Sequence, residues 1–202
     1  MKPRIPQKIN SIEKKERLLE TCYYLICENG LSCITSTTIC DRAKVSVGTF
    51  YAYFKDKNDI TKSSLIKFSK PILVPIYSNI NLLKFNKNKI INTLNKMINI
   101  SLELHTMTKV AHQNIMSVIY SDSEYYEIYR NFLNEEIEII YQKCIINGFK
   151  ETNLKETIYI TLTLIDTFIH DKVFRKEKYI DYEKQRLLLI QTLLKLWNSH
   201  IK

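Results

Sequence analysis

The scarcity of chain breaks is the feature that most constrains the fold. The 202 residues include only three glycines and four prolines, the residues that most often end a helix or form a turn. Between these breaks, apolar side chains recur three and four residues apart, which is the period of an amphipathic helix. No segment alternates cleanly with a period of two, as a half-buried strand would. The sequence therefore predicts an all-α protein.

The same periodicity predicts where the helices lie. Gly30 and Gly148 each follow a periodic segment, at the position where a left-handed residue commonly ends a helix. Pro71 and Pro75 interrupt a helix that begins near Lys57 and leave an irregular join. The other predicted helices cover approximately residues 11–29, 88–107, 110–120, 123–147, 153–174 and 181–199.

Composition and charge limit the kind of partner. Hydrophobic residues make up 45% and charged residues 25% of the chain, as in a folded globular protein. The formal net charge is +9, which favours an anionic partner. The first 57 residues contain ten Lys or Arg against six Asp or Glu, and they begin with a basic arm that carries Lys2, Arg4 and Lys8.

Several protein classes are not expected. No uncharged run approaches the roughly 18 residues of a spanning helix, and the N-terminus does not resemble a signal peptide. We therefore expect a cytoplasmic protein with no membrane association. The five cysteines have no CxxC spacing, so we expect reduced cysteines and no metal or other cofactor. Without a phosphate loop, a dinucleotide fingerprint or a GxSxG elbow, the chain is not expected to be an enzyme.

Residues 35–54 predict two short helices joined by a tight turn. Thr35 or Ser36 can cap the first helix, and Ser46 can cap the second, because hydroxyl side chains accept hydrogen bonds from helix-start amides. Three residues, 44–46, form the turn between them. Ile39, Ala43, Val45, Phe50 and Phe54 are available for a small core. This arrangement is a helix-turn-helix whose second helix reads DNA.

The stretch LLETCYYLICENGLSCITSTTICDRAKVSVGTFYAYFKDKNDI, residues 18–60, resembles the N-terminal DNA-binding domain of TetR-type transcriptional regulators, most specifically in its GTFYAYFKDK block. The resemblance implies a three-helix DNA-binding domain over residues 1–57. It also implies a larger helical bundle over residues 58–202 that binds an effector and dimerises. Two positions depart from the family pattern: Lys44 replaces a frequent turn glycine, and Val47 replaces a frequent phosphate-binding lysine.

The predicted DNA-binding residues fall into three groups. Gly48 has no side chain, so the backbone of the reading helix can approach a phosphate. Hydroxyl and ammonium groups that can donate to phosphates are carried by Ser36, Thr37, Ser46, Tyr51, Tyr53 and Lys57; the resemblance assigns this role to Tyr51, Tyr53 and Lys57. Bases are read by Val47, Thr49 and Ala52, whose methyl groups suit thymine, so we predict an A·T-rich palindromic operator.

Two apolar stripes near the C-terminus predict a homodimer through a four-helix bundle. The first stripe comprises Ile158, Leu162, Ile165 and Ile169, and the second comprises Leu187, Ile190, Leu194 and Trp197. The alternative is that both stripes face their own subunit. Further apolar residues on other sides of the same helices, such as Phe168 and Leu188, favour burial on two sides.

An effector pocket is predicted from the aromatic, sulfur-bearing and histidine side chains Tyr77, Met97, His105, Met107, His112, Met116 and Tyr120. The alternative is that these residues form ordinary core. His105 and His112 are seven residues apart, so shared ligation of a metal is not expected. Within an apolar pocket they could orient a ligand.

The function predicted from these features is that of a DNA-binding repressor released from its operator by an unknown small molecule. The alternative is a nucleoid- or membrane-associated DNA-binding protein without effector control. Such a protein would bind duplexes through phosphates alone and without sequence preference.

Overall fold

The computed structural model describes residues 9–32, 34–75, 77 and 87–200. The predicted basic arm and Cys33 lie outside these residues. Within the described ranges the secondary structure is helical, with no strand, which confirms the all-α prediction. The helices are α1 (Ile9–Asn29), α2 (Ser36–Ala43), α3 (Val47–Tyr53), α4 (Lys57–Phe68), α5 (Lys70–Leu73), α6 (Lys87–Met107), α7 (Lys109–Ile119), α8 (Ser123–Ile146), α9 (Leu154–His170), a π-helical turn (Asp171–Arg175) and α10 (Tyr182–Asn198).

The described chain divides into two compact units. The first contains the residues up to Leu73 together with Val110–Arg130, and the second contains Val74–Lys109 together with Asn131–Lys202. The first unit therefore extends beyond the predicted boundary at residue 57. The physical reason is that α4 packs on α1: Ser64 Oγ donates a hydrogen bond to the Leu19 carbonyl oxygen at 3.1 Å.

The core of the first unit is built from the apolar faces of its short helices. Its fully buried side chains include Leu18, Ile26, Ile34, Ile39, Phe50, Phe54, Ile60 and Leu65. Burying one such side chain stabilises a fold by about 1.5–3 kcal/mol. Of the predicted small core, Val45 alone is only partly buried.

The second unit is a bundle in which α6, α9 and α10 pack on one another. Two pairs of buried polar side chains in this bundle are hydrogen bonded. The Trp197 indole Nε1 donates to Thr161 Oγ1 at 2.9 Å, and His200 Nε2 lies 2.8 Å from Thr157 Oγ1. Each described helix is too short or too polar to cross a lipid bilayer.

Four cysteines lie in the described residues, and all four have free thiols. Burial raises the pKa of Cys22 to about 11 and that of Cys144 to about 12. A thiol with such a pKa is protonated and unreactive at neutral pH. Cys22, Cys40 and Cys144 therefore act as small core side chains.

Candidate nucleic-acid interface

The start of α2 is fixed by a reciprocal cap. The Thr38 backbone N–H donates to Thr35 Oγ1 at 3.0 Å, and the Thr35 backbone N–H donates to Thr38 Oγ1 at 2.9 Å. This capping box satisfies two amides that a helix start leaves without partners. It fixes where α2 begins, and it therefore fixes the positions of Ser36 and Thr37 at the surface.

The turn after α2 depends on a lysine in a glycine-like conformation. Lys44 has φ 52° and ψ 49°, in the left-handed region, and its N–H donates to the Asp41 carbonyl oxygen at 3.3 Å. A side chain in this region costs roughly 1–2 kcal/mol because its Cβ approaches the following carbonyl. The chain therefore keeps the glycine geometry of the turn at an energetic cost.

Replacing this lysine by glycine tests that cost. We expect Lys44→Gly to raise the free energy of unfolding by about 0.5–1 kcal/mol, since relief of strain exceeds the extra backbone entropy of glycine in the unfolded chain. Urea unfolding of the full chain measures the change. Lys44→Ala is the control, because alanine removes the charge but keeps the Cβ. Equal stability of the glycine and alanine variants would contradict the prediction.

Helix α3 has one buried and one exposed face. Ser46 caps it by accepting a hydrogen bond from the Thr49 N–H at 3.3 Å. Phe50 and Phe54 are buried, as predicted, with ring centroids 5.8 Å apart. On the other side, Val47 and Tyr51 are exposed, Tyr51 to 52%. The face predicted to read DNA is therefore open to solvent.

Packing within the protein does not explain Gly48. A Cβ added at this position would meet no other atom within 4 Å. The backbone is in an ordinary helical region, because Gly48 is not among the residues with positive φ. A glycine in a helix costs about 1 kcal/mol relative to alanine, so the cost is offset by something other than the packing of the described residues.

Several predicted hydroxyls form pairs at this surface. Ser36 Oγ lies 3.4 Å from the Tyr51 hydroxyl, and Ser46 Oγ lies 2.9 Å from Thr49 Oγ1. The structure thus brings the start of α2 beside the middle of α3. The remaining predicted contacts are Thr37, which is exposed, and Ala52, Tyr53 and Lys57, which are partly buried.

An ion pair that sequence reasoning missed joins α1 to α2. Arg42 donates from both terminal nitrogens to the Glu28 carboxylate, at 2.6 and 2.8 Å. These hydrogen bonds hold the pKa of the Glu28 carboxyl below its usual range. A bidentate pair engages the planar edge of guanidinium, so Arg42 ties α2 to α1.

Comparison with known proteins agrees with this geometry. Residues 18–63 match the bacterial regulatory proteins of the tetR family. The chain carries a TetR-family N-terminal domain. No curated protein sequence is similar enough to the chain to count as a relative.

Solved structures of TetR-family and related regulators share the fold over nearly the whole chain. A transcriptional regulator from Streptomyces coelicolor has a TM-score of 0.68 at 14% identity, covering 92% of this chain and 98% of that one. A TetR-family regulator from Syntrophomonas wolfei has a TM-score of 0.60 at 20% identity, with 93% and 96% covered. The fatty acid degradation regulator FadR from Bacillus halodurans has a TM-score of 0.58 at 16% identity, with 94% and 97% covered.

Outside the TetR-family domain, the predicted dimer stripes mostly face their own subunit. Seven of the eight residues are buried within the single chain: Ile158, Leu162, Ile165, Ile169, Ile190, Leu194 and Trp197. Only Leu187 is exposed, to 61%. These seven side chains are covered by the bundle core and are not available to a second subunit. The exposed apolar residues on the same two helices are Tyr159, Ile160, Leu187 and Leu188.

A small apolar cavity lies inside the second unit. Its volume is about 30 Å³, and its lining includes Leu94, Met97, Ile158, Leu162 and Trp197. Ligand pockets are typically about 300–1,000 Å³. Side chains must therefore move before this cavity can hold an organic molecule. Met97 is the one predicted pocket residue in the lining.

The other predicted pocket residues are in several environments. Tyr77 and His105 are buried, and both contact Ser101. The Ser101 Oγ forms a hydrogen bond with the Tyr77 hydroxyl. The Ser101 carbonyl oxygen accepts a hydrogen bond from His105 Nδ1 at 2.8 Å. Met107 and Tyr120 lie on the surface, 78% and 67% exposed, and so do not line an apolar cavity.

The remaining two predicted pocket residues, His112 and Met116, belong to the first unit. His112 is buried there, and its Nδ1 lies 3.1 Å from the Ile72 carbonyl oxygen. Met116 is partly buried.

Proposed function

We propose that the protein is a sequence-specific transcription regulator that binds operator DNA through α3 and is controlled by a small-molecule effector. The observation that carries this proposal is the exposed face of α3. Val47 and Tyr51 extend from it, Gly48 leaves open space in it, and Phe50 anchors its opposite side in the core. A short helix held from behind with its outer face open has the geometry of a recognition helix.

Contacts to phosphate would come from the hydroxyl groups around this face. The pair of Ser36 and Tyr51 can donate to one phosphate, since each hydroxyl carries a proton that can rotate toward an acceptor. Lys57, at the first position of α4, adds a positive charge. Such contacts fix the register of the helix on the duplex.

Base reading would depend on methyl groups. Val47 is exposed, and Thr49 Oγ1 lies 2.9 Å from Ser46 Oγ; the methyl group of Thr49 is the part that would contact a base. Methyl groups favour contact with the C5-methyl of thymine. An A·T-rich palindrome is therefore the expected operator, with each half read by one subunit of a homodimer.

Repression with release by an effector is the proposed mode of control. The apolar cavity beside Trp197 would be the starting point for an effector that is largely hydrophobic. Because binding must enlarge this cavity, the effector would select a conformation of the second unit that differs from the one described.

The decisive experiment compares Tyr51→Phe with the wild-type chain. An operator is first selected from random duplexes, and binding is then followed by fluorescence anisotropy at fixed salt. Loss of the hydroxyl removes one phosphate hydrogen bond, so we expect the Kd to rise at least about 10-fold, since a hydrogen bond to a charged group contributes about 1.5–3 kcal/mol.

Tyr24→Phe is the matched control, because Tyr24 is exposed on α1, away from α2 and α3 in sequence. It should leave the Kd unchanged. If selection returned no preferred sequence and both variants bound alike, the chain would instead be a non-specific nucleoid-type protein. Selection of G·C-rich half-sites would reject the proposed mode of base reading.

A further inference from the structure

Three metal-binding side chains converge in the second unit. His105 lies on α6, whereas Asp166 and His170 are one turn apart on α9. His105 Nε2 is 3.7 Å from Asp166 Oδ1, and His170 Nε2 is also 3.7 Å from Asp166 Oδ1. A nitrogen of His105 and a nitrogen of His170 lie within 4.8 Å of each other.

Two of these three separations are close to those of a transition-metal site. With bonds of about 2.1 Å, neighbouring ligand atoms in a tetrahedral zinc site are roughly 3.4 Å apart. The two distances of 3.7 Å need to close by only a few tenths of an ångström. We propose that His105, Asp166 and His170 form a binding site for one divalent transition-metal ion of the Zn²⁺ type.

Hydrogen bonding prepares His105 for this role. Its Nδ1 lies 2.8 Å from the Ser101 carbonyl oxygen, and because a carbonyl can only accept, Nδ1 carries the proton. The lone pair is then on Nε2, the atom nearest to Asp166. A ligating histidine that donates its second N–H to a carbonyl is the usual arrangement around protein-bound metals.

An aromatic ring and paired cations lie near the two imidazoles. The Phe174 ring contacts both imidazoles, with centroids 6.2 and 5.0 Å away. The cations near this cluster have other partners: Arg175 pairs with Asp171, and Lys109 donates to the Val173 carbonyl oxygen.

The cluster is open to solvent at Asp166 and borders a π-helical turn. The Asp166 side chain is 42% exposed, so an ion and its remaining water ligands can reach the site from that side. The π-helical turn Asp171–Arg175 begins immediately after His170, and π-helical turns are frequent at functional sites. Two histidines and one carboxylate leave a coordination position for water or an exogenous ligand.

Metal titration of the purified full chain, after treatment with chelator, tests this assignment. Isothermal calorimetry with Zn²⁺ should give one ion per chain, and Co²⁺ should give visible absorption bands of a low-symmetry N/O site. Asp166→Asn and His105→Asn should each weaken Zn²⁺ binding by at least about 30-fold, since even outer partners of a metal ligand change affinity 10–100-fold. Asparagine at 105 can still donate to the Ser101 carbonyl.

Glu156→Gln, an exposed carboxylate on the same helix α9, is the control and should bind Zn²⁺ like the wild type. Zn²⁺ should raise the Tm of the wild type and of Glu156→Gln, but not that of Asp166→Asn. Absence of stoichiometric binding would overturn the assignment. Binding that is equally tight in all variants would also overturn it. Because calorimetry contains no DNA, its outcome is separate from that of the operator experiments.

Discussion

Gly48→Leu should abolish useful operator binding while making the free protein slightly more stable. A Cβ added at this position meets no atom within 4 Å, and leucine is a better helix former than glycine by about 0.8 kcal/mol. On DNA, the same side chain would fill the space between the α3 backbone and the duplex. Displacing α3 outward breaks several phosphate and base contacts together, so we expect the Kd to rise at least about 100-fold, or roughly 2.7 kcal/mol.

Anisotropy titration and urea unfolding of the same preparation measure the two effects. Gly48→Ala should give an intermediate loss of affinity, because its side chain is one methyl group. Gln113→Leu is the control: it adds the same side chain at an exposed position of α7, in the same unit, and should not change the Kd. A Gly48→Leu protein that binds the operator like the wild type would exclude α3 as the reading helix.

Carboxylates introduced on the exposed apolar residues of α9 and α10 should convert the proposed dimer into monomers. Ile160 and Leu188 are exposed, 41% and 63%, on helices whose other faces are buried. In the double variant Ile160→Glu, Leu188→Glu, two carboxylates per subunit would be desolvated without partners, and symmetry would place like charges near one another. We expect the dimer Kd to rise at least about 1,000-fold, or roughly 4 kcal/mol.

Sedimentation velocity over a wide range of concentrations measures this change. The control is Ile146→Glu, Tyr179→Glu, which changes two more exposed residues of the second unit by the same charge. It should leave the dimer intact. The monomeric variant should also lose affinity for a palindromic operator, because each half-site is then bound separately. A double variant that remains dimeric would place the interface elsewhere.

Local signals explain why the exposed face of α3 could be predicted. The caps at Thr35 and Ser46 and the burial of Phe50 and Phe54 follow from residue types within a 20-residue segment. Helix spacing then places Val47 and Tyr51 on the exposed side. Each of these inferences needs only the geometry of one helix and one turn.

Contacts between residues distant in sequence are harder to predict. Apolar periodicity identifies which face of α9 is buried, but it does not reveal whether the same subunit or a second one covers that face. Ile165 and Leu194 were therefore assigned to a dimer contact although their own bundle covers them. The Glu28–Arg42 pair spans 14 residues and left no local pattern.

The histidine cluster illustrates the same limit. The two members on α9, Asp166 and His170, have the spacing of one helical turn, which can be read from the sequence. His105 is 61 positions before Asp166 in the sequence, and only the packing of α6 against α9 brings the two together. Spacing along one helix likewise does not give the distance between His105 and His112, because they lie on two different helices.

Helix α3 has only seven residues, and an isolated segment of that length has almost no helicity in water. The orientation of α3 is therefore set by the packing of the Phe50 ring against the core side chains around it. Substitutions in the core of the first unit, which do not contact DNA, would then change the affinity for the operator without unfolding the protein. Variation in specificity among such proteins can arise from the interior as well as from the surface that touches DNA.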